Sequence, residues 1–218
     1  VSLHAILKRP PQPGETALVY GCGTLGLLAV AILRALHPDT RVLAIARFDH
    51  QVALAQRFGA AAVFPHTPGR TIIERAAAET GAQILTPWKG YPWLYGGGID
   101  VIYDTVGSPE TLEVGVRLAA SRGAIVVTGV EPPERFEWTP LYFKELSIIG
   151  SNAFGVEEFE GRSRHSMEIY LDLVRTGRID VTPILTHRFP LDRYVDAFMT
   201  CGEQGTSGAV KVLFDYGN

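Results

Sequence analysis

The chain has 218 residues, with Lys and Arg totalling 20 against 23 Asp and Glu, for a net charge of −3. Hydrophobic residues make up 46%, including three Trp, eight Tyr and ten Phe, which supports a packed core and excludes a disordered chain. The lack of a basic tract excludes nucleic acid as a partner, and no apolar run reaches the ~18–20 residues of a membrane span.

Val1 opens the chain in what reads as mid-helix, so the sequence is expected to be a fragment. Leu3, Ile6 and Leu7 fall at helical spacing over residues 2–8, and VSLHAILKRP has neither the apolar stretch nor the cleavage site of a signal peptide. PPQPGE (Pro10–Glu15) turns the chain into a short apolar strand, TALVY (Thr16–Tyr20). Thr24–Leu36 is apolar on nearly all sides and reads as a buried helix. A second strand, Arg41–Ala46, precedes an amphipathic helix over His50–Ala60, with Asp49 as its expected N-cap and Gly59 as its stop. A third strand, Ala61–Phe64, leads to a helix over Arg70–Thr80 that ends near Gly81. TPWKGYPWLYGGG (Thr86–Gly98) is a long aromatic connection that reads equally as a lid, a subunit contact or a self-packed loop. The fourth strand lies within Gly98–Gly107, followed by a helix over Pro109–Leu118 and a fifth strand over Gly123–Gly129. Glu131–Pro140 is a polar, proline-rich loop, and Leu146–Ser151 is the sixth strand.

Uniformly apolar strands alternating with helices predict an α/β fold with a parallel sheet covered on both faces. Right-handed crossovers make it a Rossmann doubly wound, six-stranded sheet of order 3-2-1-4-5-6 over residues 1–155. Beyond residue 155 the alternation stops. A helix over Arg164–Thr176, a strand over Ile184–Phe189, a helix over Leu191–Cys201 and a strand over Ala209–Asp215 predict a small C-terminal α/β extension (156–218). It is expected to pack against something other than the main sheet.

GCGTLG follows the first strand and opens the first buried helix, the context a dinucleotide cradle requires. Gly21 permits the tight turn, Gly23 lets pyrophosphate approach the backbone, and Gly26 lets the helix pack close to the sheet. Thr24 and Leu25 begin the helix, whose free N–H groups and positive end suit phosphate. The plain alternative is a tight turn without a ligand. About 20 residues on, an NAD site places an acid at the end of the second strand. Here that position is Ala46, followed by Arg47. Ala46 does not repel a 2′-phosphate, and Arg47 can pair with one, so NADP is the expected cofactor, with NAD possible if Arg47 is only a solvated surface residue. The missing acid also argues against a methyltransferase.

Other chemistries find no support. The residues four before Lys8, Lys89, Lys144 and Lys211 are His4, Leu85, Pro140 and Ser207, so the Tyr–Lys pair of short-chain reductases is absent. There is no G-x-S-x-G, H-E-x-x-H or Walker A run. The six histidines show no metal spacing, and Cys22 reads as a packing residue. Two cysteines without a C-x-x-C fit a reducing cytoplasm.

PPQPGETALVYGCGTLGLLAV, GIDVIYDTVG, RGAIVVTG, ELSIIGS and TGRIDVTPILTHRFPLDRYVDAF followed by GAVKVLFD together resemble the medium-chain, zinc-dependent alcohol dehydrogenases, including sorbitol and threonine dehydrogenase relatives. The resemblance covers almost the whole chain. It implies contacts from Thr105 and Val106 to the adenine-side ribose or the nicotinamide. It implies further contacts from Thr128, Gly129 and Val130 beside the nicotinamide, from Ser151 and Asn152 to its amide, and from Lys211 near the pyrophosphate. It also implies hydride transfer between nicotinamide and a small alcohol or carbonyl, and a homodimer or homotetramer. The family's catalytic domain with its zinc ligands is absent, and VSLHA resembles the helix just after the last ligand. The chain is therefore expected to hold no metal and no catalytic residue. Two alternatives stand beside this: a free-standing NADP-sensing or assembly module, and a zinc-free quinone reductase relative.

Overall fold

A computed structural model describes residues 1–131 and 134–217. Its elements run α1 (Ser2–Lys8), β1 (Thr16–Tyr20), α2 (Thr24–Leu36), β2 (Arg41–Ala46), α3 (Asp49–Arg57), β3 (Ala62–Pro65) and α4 (Gly69–Thr80). Then come β4 (Gln83–Leu85), β5 (Trp93–Tyr95), β6 (Ile99–Asp104), α5 (Pro109–Leu118), β7 (Ala119–Val127), α6 (Thr139–Phe143) and β8 (Ser147–Gly150). The last part holds β9 (Val156–Phe159), β10 (Arg162–His165), α7 (Ser166–Arg175), β11 (Leu185–Pro190), α8 (Tyr194–Gly202), α9 (Gln204–Ser207) and β12 (Lys211–Asp215).

The main sheet has six parallel strands in the order β3-β2-β1-β6-β7-β8, which is the expected 3-2-1-4-5-6. Alternate residues of its strands feed two separate cores. Ala17 and Val19 of β1 join Leu27, Val30 and Leu33 of α2 and Leu3 and Ile6 of α1 on one face. Leu18 and Tyr20 join Ile72 and Ile73 of α4 and Val114 of α5 on the other. Continuous apolar strands are what two buried faces demand.

Several boundaries differ from expectation. Asp49 is the first residue of α3 rather than its cap; Phe48 holds the cap position. Gln51 reaches back, its Oε1 accepting from the amides of Arg47 at 3.2 Å and Phe48 at 3.4 Å. The fifth sheet strand begins at Ala119 because Ile99 pairs Ala119 while Val101 pairs Ala124, a register shift accommodated by Arg122 at φ +63. The Thr86–Gly98 connection contributes β5, which pairs with β4 just before it as an antiparallel hairpin. A second unforeseen hairpin, β9 with β10, turns through Glu160 at φ +51 and Gly161 at φ +75, the double left-handed pair of a tight hairpin turn. Within the proline-rich loop, Pro132 and Pro133 lie outside the described residues.

The C-terminal extension divides its packing. Ile169 and Leu173 of α7, with Ile179 and Ile184, are buried in the core that contains α1 and α2. The i, i+4 spacing of Ile169 and Leu173 on α7 supplies the buried stripe. Farther on, β11 and β12 pair in parallel as a separate two-stranded sheet. Tyr194, Val195, Phe198 and Met199 of α8 remain exposed.

Candidate functional site

The ends of β1, β2 and β6 converge on the glycine turn. Gly21 takes φ +93, and a Cβ there would lie 2.6 Å from Val106 Cγ2. Gly26 is more tightly confined: a Cβ would fall 1.7 Å from the Gly21 carbonyl oxygen. Gly23 is the opposite case, with no atom within 4 Å of the same position. One glycine therefore forms the turn, one lets the helix close on it, and the third leaves the surface open. A turn of this geometry above the N-terminus of α2 could hold a dinucleotide pyrophosphate.

Thr105 and Asp104 brace the turn from β6. Thr105 Oγ1 donates to the carbonyls of Tyr20 at 3.0 Å and Gly21 at 2.9 Å. Asp104 is buried; its Oδ1 accepts from the amides of Val106 and Gly107, each at 2.9 Å, and its Oδ2 from the Thr111 hydroxyl at 2.7 Å. Burial pushes this carboxyl up, and those hydrogen bonds pull the other way. Beside it, Thr128 donates through its amide to the Asp104 carbonyl at 2.8 Å. A Cβ on Gly107 would lie 1.9 Å from the Gly129 carbonyl oxygen, so the loops after β6 and β7 touch backbone to backbone.

Gly21, Gly23, Thr24, Leu25, Arg47, Thr105 and Val106 surround one depression of about 400 Å³. Ala46, the residue before Arg47, is buried, and Arg47 is exposed, its guanidinium 5.3 Å from the Phe48 ring centroid. A larger cleft of about 660 Å³ shares Gly21, Arg47 and Val106 and runs on past His66 to α5. The residues that resemblance pointed to after β7 and β8 are spread along the adjoining strand ends. Val130 is 90% exposed, Asn152 is exposed, and Ser151 is buried with its amide on the Val127 carbonyl at 2.9 Å. The Ser151 hydroxyl has no hydrogen-bond partner among the described residues. Lys211 is exposed at the start of β12, one residue after Val210, whose carbonyl accepts from Thr24 Oγ1 at 3.0 Å.

Sequence reasoning missed Asp104, Phe48, Gln51 and Gln204. Asp104 was visible as an acid ending an apolar strand three residues before a glycine. Gln204 enters the depression from α9, and nothing local to it signals that.

Residues 24–167 match the model of a family described as zinc-binding dehydrogenase. The chain belongs to the zinc-binding dehydrogenase family. It is 32% identical over 209 residues to an L-threonine 3-dehydrogenase of Saccharopolyspora erythraea, covering 94% of this chain and 52% of that one. A zinc-binding dehydrogenase of Sinorhizobium meliloti solved with NADP superposes with a TM-score of 0.70 at 27% identity, over 98% of this chain and 56% of that one. A dehydrogenase of Escherichia coli CFT073 complexed with NADH gives 0.74 at 23% identity, over 97% and 55%. The chain spans about half the length of the curated relatives it matches.

As a member of the zinc-binding dehydrogenase family the chain raises the question of a metal. Among the described residues no three His, Cys, Asp or Glu side chains gather to hold one. No helix among them is long and apolar enough to cross a membrane. Cys22, inside the glycine turn, is buried, and burial pushes its thiol up to about 12. A maleimide at neutral pH is expected to label exposed Cys201 and spare Cys22, giving a single adduct in the intact mass. A second adduct on the folded chain would contradict the buried placement of Cys22.

Proposed function

We propose that this chain is the cofactor-binding portion of a medium-chain alcohol or polyol dehydrogenase that prefers NADP. The observation that carries the preference is the end of β2, where Ala46 stands in place of an acid and Arg47 is exposed at the rim of the cradle. The two solved neighbours described above hold different nicotinamide cofactors, so likeness alone does not choose between them.

In this reading the turn from Gly21 to Leu25 and the start of α2 hold the pyrophosphate, and Arg47 pairs with the ribose 2′-phosphate. The backbone of Thr128–Val130, together with Ser151 and Asn152, borders the nicotinamide, and the unpartnered Ser151 hydroxyl suits its amide. Lys211, beside the helix start, adds positive charge to the phosphate end. The nicotinamide, when bound, supplies hydride exchange with an alcohol or carbonyl carbon. The role of this chain is to bind and orient it.

Titration of the wild-type chain with NADPH and NADH is expected to show tighter NADPH binding. Arg47→Ala should weaken NADPH by about tenfold, equivalent to ~1.4 kcal/mol, and leave NADH within twofold. Equal binding of the two cofactors by wild type would overturn the preference.

A further inference from the structure

The β4–β5 hairpin carries Tyr91 to the larger cleft. Its ring is clamped. The Arg117 guanidinium lies over it, 5.8 Å from the centroid, and Arg117 Nε donates to the Tyr91 carbonyl at 3.4 Å. Arg117 is itself 1% exposed and ion-paired to Glu137 at 2.7 Å and Glu113 at 3.4 Å. The ring edge abuts the start of α4, where a Cβ on Gly69 would lie 3.4 Å from Tyr91 Cε2. A half-buried ring fixed in this way loses little freedom when a flat ligand docks on it.

Two further observations point to the kind of ligand. Tyr20, buried at the end of β1, lines the same cleft, and its hydroxyl has no hydrogen-bond partner among the described residues. A buried phenol in that state costs free energy that a bound polar edge would recover. Glu110, Glu131 and Glu134 line this part of the cleft too, which repels phosphate and suits a neutral ring bearing an amino group.

Resting on the dinucleotide reading above, we propose that Tyr91 is the stacking platform for the adenine ring, with the Tyr20 hydroxyl hydrogen-bonding the base edge. Arg117 acts as a positioning residue for Tyr91. The hairpin is thus a specificity element of the cofactor site.

Calorimetric titration with ADP-ribose and with inorganic pyrophosphate tests this. Tyr91→Leu keeps the packing against Gly69 but removes the π face. It is expected to weaken ADP-ribose about tenfold, within the ~1–3 kcal/mol that base stacking is worth, and to leave pyrophosphate unchanged. Tyr91→Phe should bind ADP-ribose within twofold of wild type. Wild-type-like ADP-ribose binding by Tyr91→Leu would overturn the platform alone. Equal weakening of ADP-ribose and pyrophosphate would overturn it as well, since Tyr91 would then act through the fold. Failure of the wild-type chain to bind ADP-ribose would overturn both this assignment and the dinucleotide reading.

Discussion

Gly26→Ala is expected to cost about 3 kcal/mol or more and to lower the melting temperature by roughly 6–12 °C, whereas Gly23→Ala leaves it within about 3 °C of wild type. The difference lies in what each new methyl meets. At Gly26 it would fall 1.7 Å from the Gly21 carbonyl oxygen, which is backbone and cannot rotate away. Either α2 moves off the sheet or the turn opens. At Gly23 no atom lies within 4 Å and φ is −72, an ordinary value for alanine, so the cost is at most the modest loss of a good cap residue. Binding should reverse the order of concern. The Gly23 methyl occupies the face left open for pyrophosphate, and NADPH is expected to bind at least about thirtyfold more weakly, a loss of ~2 kcal/mol. Thermal scans and fluorescence titration on the same preparations separate the two effects. Undiminished NADPH binding by a well-folded Gly23→Ala protein would move the pyrophosphate elsewhere.

Asp104→Ala is expected to destabilise the chain by about 2–4 kcal/mol, because it strands the Val106 and Gly107 amides and removes one acceptor of the Thr111 hydroxyl. Asp104→Asn should cost distinctly less. Its oxygen can still accept from both amides, and the Thr111 hydroxyl can turn to accept from its NH₂ group. The effect should reach beyond stability. Gly107, one of the two residues whose amides Asp104 holds, packs against the Gly129 carbonyl, so loosening one loop releases the other. Chemical denaturation of the two variants ranks them; an alanine variant as stable as the asparagine one would show that these hydrogen bonds contribute little.

The parts of the fold that were legible in the sequence are those whose cause is local. TALVY between two turn signals could only be a buried strand, and its partners Arg41–Ala46 and Ile99–Asp104 are apolar for the same reason. The glycine turn was legible because strand, glycines and helix adjoin. The first residues of β7 were not: AASRG reads as a turn, and only pairing with Ile99 across a register shift makes it extended. The two hairpins escaped because three- and four-residue strands carry too few positions to show alternation. At the site, Arg47 and Ala46 stood out by their place at a strand end. Gln204 did not, since its position depends on a chain reversal more than 150 residues after the turn it approaches.

The bond from Thr24 to Val210 spans 186 residues and bears on how the protein comes into being. During synthesis the strands from β1 to β8 emerge in an order that lets the sheet assemble early. The first turn of α2 must wait for β12 to leave the ribosome before its threonine finds that carbonyl. Until then the nascent chain carries a finished scaffold with an unclosed mouth. Its capacity to be steadied by a ligand arises only once Val210 has been made, long after the glycine turn itself.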